Sequence, residues 1–118
     1  MNIIESSIHD MQLHNAEGKL KAEETVKHCL ARIEKYDGAY NAFISLNPKV
    51  LDEARALDQR RLSGEKLGVL AGIPIIIKDV INVAGLPTTA GWSALSQQAG
   101  GIDLIPDSDA PAVKRLRD

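Results

Sequence analysis

Apolar positions in this chain form three helical stripes and one unbroken run, followed by a long stretch with no period. Ile8, Met11 and Leu13 predict the inward face of a helix from Glu5 to about Glu17, and Asn15 to Gly18 read as its stop. Val26, Cys29, Leu30 and Ile33 fall on one face of a second helix from Ala22 to Tyr36. Glu23 and Glu24 in its first turn and Arg32 and Lys35 near its last suit the helix dipole, and Asp37-Gly38 reads as its end. Tyr40 to Leu46 has the β-branched and aromatic content of a short strand centred on Ala42-Phe43-Ile44. Asn47-Pro48 then starts a third helix, with Leu51, Ala54, Leu57 and Arg61 along one side, that stops at Ser63-Gly64.

The unbroken run is Leu70 to Asp79, Leu-Ala-Gly-Ile-Pro-Ile-Ile-Ile-Lys-Asp. Its isoleucines are continuous rather than alternating with polar residues, which predicts a strand covered on both faces in an α/β sheet. Lys78 falls at the strand's carboxyl end, where open α/β sheets place their ligands. Val80 to Val83 either extends the strand or begins a loop, and Gly85 to Gly101 is loop-like, with Pro87-Thr88-Thr89-Ala90-Gly91 its distinctive piece. Asp107-Ser108-Asp109 with Ala110-Pro111 starts a last helix, whose stripe is Ala112, Val113 and Leu116. It runs only about two turns to an acidic residue, shorter than an isolated helix needs, so the expected reading is the front portion of something longer. The expected division of a single domain is helical 1–64, strand and lysine 65–84, loop 85–106 and the start of a truncated helix 107–118.

Composition narrows the class. The 118 residues carry a formal charge of −2 and no large basic cluster, so neither nucleic acid nor an anionic membrane is expected as a direct partner. One cysteine, Cys29, excludes an internal disulfide and fits a reducing compartment. There is no basic flank leading into an apolar run, and no stretch long enough to span a bilayer. The expected location is the cytoplasm.

Candidate chemistry centres on Lys78, for which two readings stand. It either snorkels to solvent from a strand end, with Asp79 as a loop residue, or its ammonium is partly desolvated by the isoleucines, as in lysines that serve as bases. In the second reading Asp79 points to the opposite side of the strand. Thr88, Thr89 and Ser93 are the nearby hydroxyl cluster, a pattern that usually reflects turn chemistry. His14 and His28 are expected in solvent, and the spacing of His9, His14, His28 and Cys29 matches no metal site. Gly100-Gly101 lacks the lysine of a phosphate loop, Trp92 reads as packing, and Cys29 should be inert on its buried stripe. No cofactor is expected.

Taken together, Arg32-Ile33, Asn41-Ala42-Phe43, Ala54 with Asp58, Leu70-Ala71-Gly72-Ile73-Pro74, Lys78-Asp79, Thr88-Thr89-Ala90-Gly91, Asp109-Ala110, Val113 and Leu116-Arg117 resemble, in order, the N-terminal part of the amidase signature family. The Gly-Ile-Pro-x-x-x-Lys-Asp element is the specific one. The resemblance implies an α/β fold of helices on a mixed sheet, incomplete in this chain. It also implies a serine–cis-serine–lysine hydrolase acting on small-molecule or peptide amides. In such enzymes a serine attacks the amide carbonyl while a second serine, in a cis peptide, relays its proton to and from a neutral lysine. Lys78 falls on that lysine by motif position.

The family's Gly-Gly-Ser-Ser-Gly-type segment and its nucleophile are not in these residues, and Ser93, Ser96 and Ser108 lack that glycine context. Val80 stands where the family often has asparagine. The expectation is therefore a fragment, catalytically silent alone, whose remainder lies on another chain or is missing. Two alternatives are a non-catalytic interaction domain and the front part of the amidase subunit of a glutamyl-tRNA amidotransferase. An orphaned fragment should expose Ile73, Ile75 and Ile77.

Overall fold

The computed structural model describes residues 2–118, which form two compact units, one ending at Pro74 and the other spanning Ile75–Asp118. The first unit holds three helices. Helix α1 (Ile8–Ala16) starts later than its apolar pattern suggests, because Ser7 and Asp10 form a capping box. The Ser7 hydroxyl accepts from the Asp10 amide at 3.1 Å, and the Asp10 carboxylate accepts from the Ser7 amide at 3.2 Å. The hydrogen bonds from Ser7 hold the Asp10 carboxyl below its usual range. Of the three expected inward residues only Met11 is buried, while Ile8 and Leu13 are exposed. Gly18 takes the expected left-handed conformation, φ 69°.

Helix α2 (Ala22–Tyr40) overruns its expected end. Gly38 is absorbed at the ordinary cost of about 1 kcal/mol for glycine in a helix. The turn closes instead at Asn41, φ 50°, where the Asp37 carboxylate accepts from the Ala42 amide at 2.7 Å. The predicted strand Tyr40–Leu46 is thereby overturned: Tyr40 is helical, and Ile44 and Leu46 are exposed on irregular backbone. A strand exists only with a hydrogen-bonded neighbour, and this segment has none among the described residues. Helix α3 (Val50–Leu62) follows an Asn47 turn, the Asn47 side chain accepting from the Lys49 amide at 2.9 Å.

Helices α2 and α3 pack through Ala22, Val26 and Ala54, flanked by the half-buried Leu30, Val50, Leu51 and Leu57. The predicted stripes therefore hold, with Cys29 and Ile33 half-buried beside them. Arg61, at the end of the α3 stripe, donates from Nη2 to the Ala71 carbonyl at 3.1 Å, and the Asn15 amide reaches the same oxygen at 3.4 Å. Asn15 is almost fully buried, which nothing in its sequence position predicts.

The second unit contains two single 3-10 turns, Ser93–Leu95 and Gln97–Ala99, and helix α4 (Pro111–Arg117). Pro111 occupies the first turn of α4 as expected, but Ala110 rather than an aspartate holds the cap position. Of the expected stripe Val113 is buried and Leu116 is exposed. Residues 82–88 and 104–110 exchange bonds in antiparallel order without becoming a ladder. Gly85 donates to Pro106 at 3.0 Å, Thr88 to Leu104 at 2.9 Å and Ala110 to Asn82 at 2.9 Å.

No β-strand forms among the described residues, so the expected central strand is irregular backbone without a strand partner. Ile75 and Ile76 are exposed, whereas Ile73 and Ile77 are half-buried. The physical reason is the one that applies to residues 41–46: an apolar run becomes a buried strand only when neighbouring strands supply partners for its amides and carbonyls. No helix is long and apolar enough to cross a membrane among the described residues.

Candidate functional site

Lys78 and Asp79 sit near the start of the second unit, and the rest of the candidate site is the turn Thr88–Gly91. Lys78 is exposed, so the isoleucines do not desolvate it in this chain, and the solvent-facing reading describes its surroundings. Its carbonyl accepts from the Ile81 amide at 2.9 Å, which turns the backbone directly after the lysine. No carboxylate lies within ion-pairing distance of its ammonium among the described residues, although Asp79 is its neighbour in sequence.

Asp79 is turned to the loop instead. Its Oδ1 accepts from the Thr89 amide at 3.0 Å, and its Oδ2 accepts from the Thr89 hydroxyl and from the Gly91 amide at 3.4 Å. Its backbone carbonyl accepts from the Ala90 amide at 2.9 Å. Burial pushes the Asp79 carboxyl up, but the bonds from Thr89 and Gly91, with the nearby Lys78 charge, outweigh it and hold the group below its usual value. Within the turn the Thr89 hydroxyl also accepts from the Gly91 amide at 3.0 Å. Ala90 has φ 52° and Gly91 φ 73°, and the left-handed conformation is strained for an alanine.

The predicted hydroxyl cluster separates. Thr89 belongs to the Asp79 network, and Thr88 is buried with its amide on Leu104. Ser93 is exposed, and its hydroxyl makes no hydrogen bond among the described residues. Asp79, a loop residue in the solvent-facing reading of Lys78, is the hub of the site. The clues in the sequence were its place in the Gly-Ile-Pro-x-x-x-Lys-Asp element and the Thr88-Thr89-Ala90-Gly91 piece that follows it.

Asp109 is the second residue with an unforeseen part. It accepts from the Ala84 amide at 2.8 Å and pairs with Arg117 Nε at 3.1 Å, rather than capping α4. His14, expected in solvent, is half-buried with Nδ1 2.8 Å from the Asp10 carbonyl, and His9 and His28 are exposed. No group of side chains suited to a metal occurs among the described residues. Cys29 has its thiol pushed up by burial, which agrees with an inert residue.

The Asp79 carboxylate is thus committed to backbone and hydroxyl donors, and the exposed Lys78 beside it makes no ion pair among the described residues. Comparison with known proteins then places the chain: the profile of the Amidase family matches residues 24–118, and the chain belongs to that family.

It is 51% identical over 102 residues to a glutamyl-tRNA(Gln) amidotransferase subunit of Chloroflexus aurantiacus, covering 86% of this chain and 20% of the relative. The same subunit from Bdellovibrio bacteriovorus is 43% identical over 98 residues, covering 83% and 19%. Among solved structures, the native peptide amidase of Stenotrophomonas maltophilia superposes with a TM-score of 0.84 at 32% identity, over 98% of this chain and 23% of that one. An amidase family protein of Bacillus anthracis gives 0.81 at 35% identity, over 97% and 22%. The chain spans about a fifth of the length of these curated relatives. It resembles the N-terminal part of these amidotransferase subunits and of peptide amidases.

Proposed function

We propose that this chain supplies the lysine base of a serine–cis-serine–lysine amidase. Lys78 accepts the proton of a nucleophilic serine through a second serine hydroxyl, then returns it to the departing amine as the amide bond breaks. The resulting acyl-enzyme is released by water. The cis serine belongs to a glycine- and serine-rich segment that these residues do not contain, and they lack the nucleophilic serine as well, so the 118 residues alone are silent and the remainder of the amidase acts as the partner. The substrate is a small-molecule or peptide amide, the setting is the cytoplasm, and the exposed run around Ile75 and Ile76 is where the absent strands of the mixed sheet pair.

The observation that carries the reading is the division of labour at residues 78 and 79. Asp79 is consumed by the Thr89–Gly91 turn, which leaves Lys78 without an ion-pair partner among the described residues. The test is to produce the full chain alone, and together with the remaining portion of an amidotransferase or peptide amidase relative on a second chain. Amide hydrolysis is expected only for the pair and is lost with Lys78→Ala. Hydrolysis by the 118 residues alone, or activity of the pair that survives Lys78→Ala, overturns it.

A second reading has its own support. The two amidotransferase relatives are 43% and 51% identical, against 32% for the peptide amidase. This favours the front part of an amidotransferase amidase subunit over a free peptide amidase. Hydrolysis of peptide amides by the complemented pair, with no transfer to glutamyl-tRNA, would count against it.

A further inference from the structure

The Asp79 network does more than close a turn, because it fastens residues 89–91 to the residue that follows Lys78. We infer that Asp79 is a positioning residue for Lys78, its carboxylate and its own carbonyl together clamping the Thr89–Gly91 turn onto the backbone that carries the lysine. This rests on the reading of Lys78 as the base.

Four bonds converge on one residue. The Thr89 amide, the Thr89 hydroxyl and the Gly91 amide bind the carboxylate, and the Ala90 amide binds the carbonyl. Three consecutive amides are thus directed at Asp79, and the arrangement holds Ala90 at φ 52° against its own preference. A strained residue persists only where its surroundings over-determine it, which is what a clamp supplies. The Ile81 amide donates to the Lys78 carbonyl at 2.9 Å, so Asp79 lies inside the closed turn that Lys78 opens. With its oxygens engaged by the turn, the carboxylate forms no ion pair with the Lys78 side chain among the described residues. The lowered Asp79 pKa fits a carboxylate that stays ionised in this role.

The test is amide exchange on the full 118-residue chain. In Asp79→Asn, the Thr89 and Gly91 amides should exchange about ten-fold faster or more, as expected for the loss of charge-assisted bonds. The Ile81 amide, which reports on the Lys78 peptide, should accelerate with them. The Gly85 and Thr88 amides, bonded to Pro106 and Leu104, should keep their protection and so report that the unit remains folded.

If 89–91 loosen while Ile81 stays protected, Asp79 merely caps a turn and the inference fails. If Asp79→Asn unfolds the unit, Thr89→Val and Thr89→Ser decide. The valine variant should loosen Ile81 and the serine variant, which keeps the hydroxyl, should restore it; equal behaviour of the two overturns the clamp.

In the complemented pair, Asp79→Asn should lower kcat on the order of a hundred-fold with KM little changed, the signature of a displaced base. An unchanged kcat beside a dead Lys78→Ala pair sinks the positioning role alone. Activity surviving Lys78→Ala sinks the functional reading and leaves the exchange result standing.

Discussion

The Asp58 carboxylate on α3 caps α2, its Oδ1 accepting from the Ala22 amide at 2.9 Å while its Oδ2 accepts from the Glu23 amide at 3.1 Å. Two of the four unpaired amides at the start of α2 are satisfied by a residue 36 positions away, in place of the local side-chain cap that Lys21 does not provide. Arg61 Nη1 steadies the same carboxylate at 3.4 Å. Loss of this cap in Asp58→Ala should cost about 1–2 kcal/mol, with Asp58→Asn milder because one acceptor oxygen remains. Urea unfolding followed by helical circular dichroism measures both, and equal stability of wild type and Asp58→Ala would show that the cap contributes nothing.

Gly72 is the residue that lets the chain pass close to this node. It has φ 89°, and a Cβ built there would lie 3.2 Å from the Asn15 side-chain nitrogen and 3.3 Å from the Cβ of buried Ala22. Gly72→Ala should therefore destabilise the first unit by about 1–2 kcal/mol, combining left-handed strain with crowding. Gly18→Ala, also left-handed but with open space around it, should cost less. Thermal midpoints of the two variants make the comparison, and the reverse order would refute the crowding.

Acid should release the Thr89–Gly91 turn. The Asp79 carboxyl sits below its ordinary 3.8, so its ionised form is favoured by folding. The stability it adds is fully present above that ordinary value and is lost as the pH falls through the lower folded value. Amide shifts of Thr89 and Gly91 should hold steady from neutrality to about pH 4, the ordinary carboxylate range, and move only below it. In Asp79→Asn that low-pH transition should vanish; its persistence would assign the titration to another group.

Exposed apolar side chains should make the second unit bind hydrophobic dyes. Ile76, Val80 and Ile81 lie exposed within six residues of each other, with Ile75 beside them. Contiguous surface of this kind marks an interaction site or a liability to self-association. Ile76→Lys should reduce anilinonaphthalene sulfonate fluorescence and concentration-dependent light scattering without altering the α2–α3 circular dichroism signal. A chain that neither binds the dye nor self-associates would favour a stand-alone domain over an amidase piece awaiting its sheet.

Much of the first unit was legible along the chain. The stripes carrying Val26 and Leu30 on one helix, and Leu51, Ala54 and Leu57 on the other, marked the faces that meet between α2 and α3 because helical periodicity is a local property, and Gly18 and Gly64 marked turns for the same reason. The amidase motif, with its Gly-Ile-Pro-x-x-x-Lys-Asp element, likewise pointed to the family that the profile match establishes. The α2 terminus was missed because Asp37 satisfies the Ala42 amide from within the helix, so Gly38 need not end it.

What the sequence determined by itself was the set of helical faces and the family, both written in residues at fixed spacing. Tertiary structure alone decided that the isoleucine run stays unpaired, since a strand is a relation between segments and no composition of one segment supplies its partner. It also decided that Asp79 serves the Thr89–Gly91 turn rather than the lysine beside it. A carboxylate's partner is whichever donors the fold brings within about 3 Å, and those donors lie ten and twelve residues further along the chain.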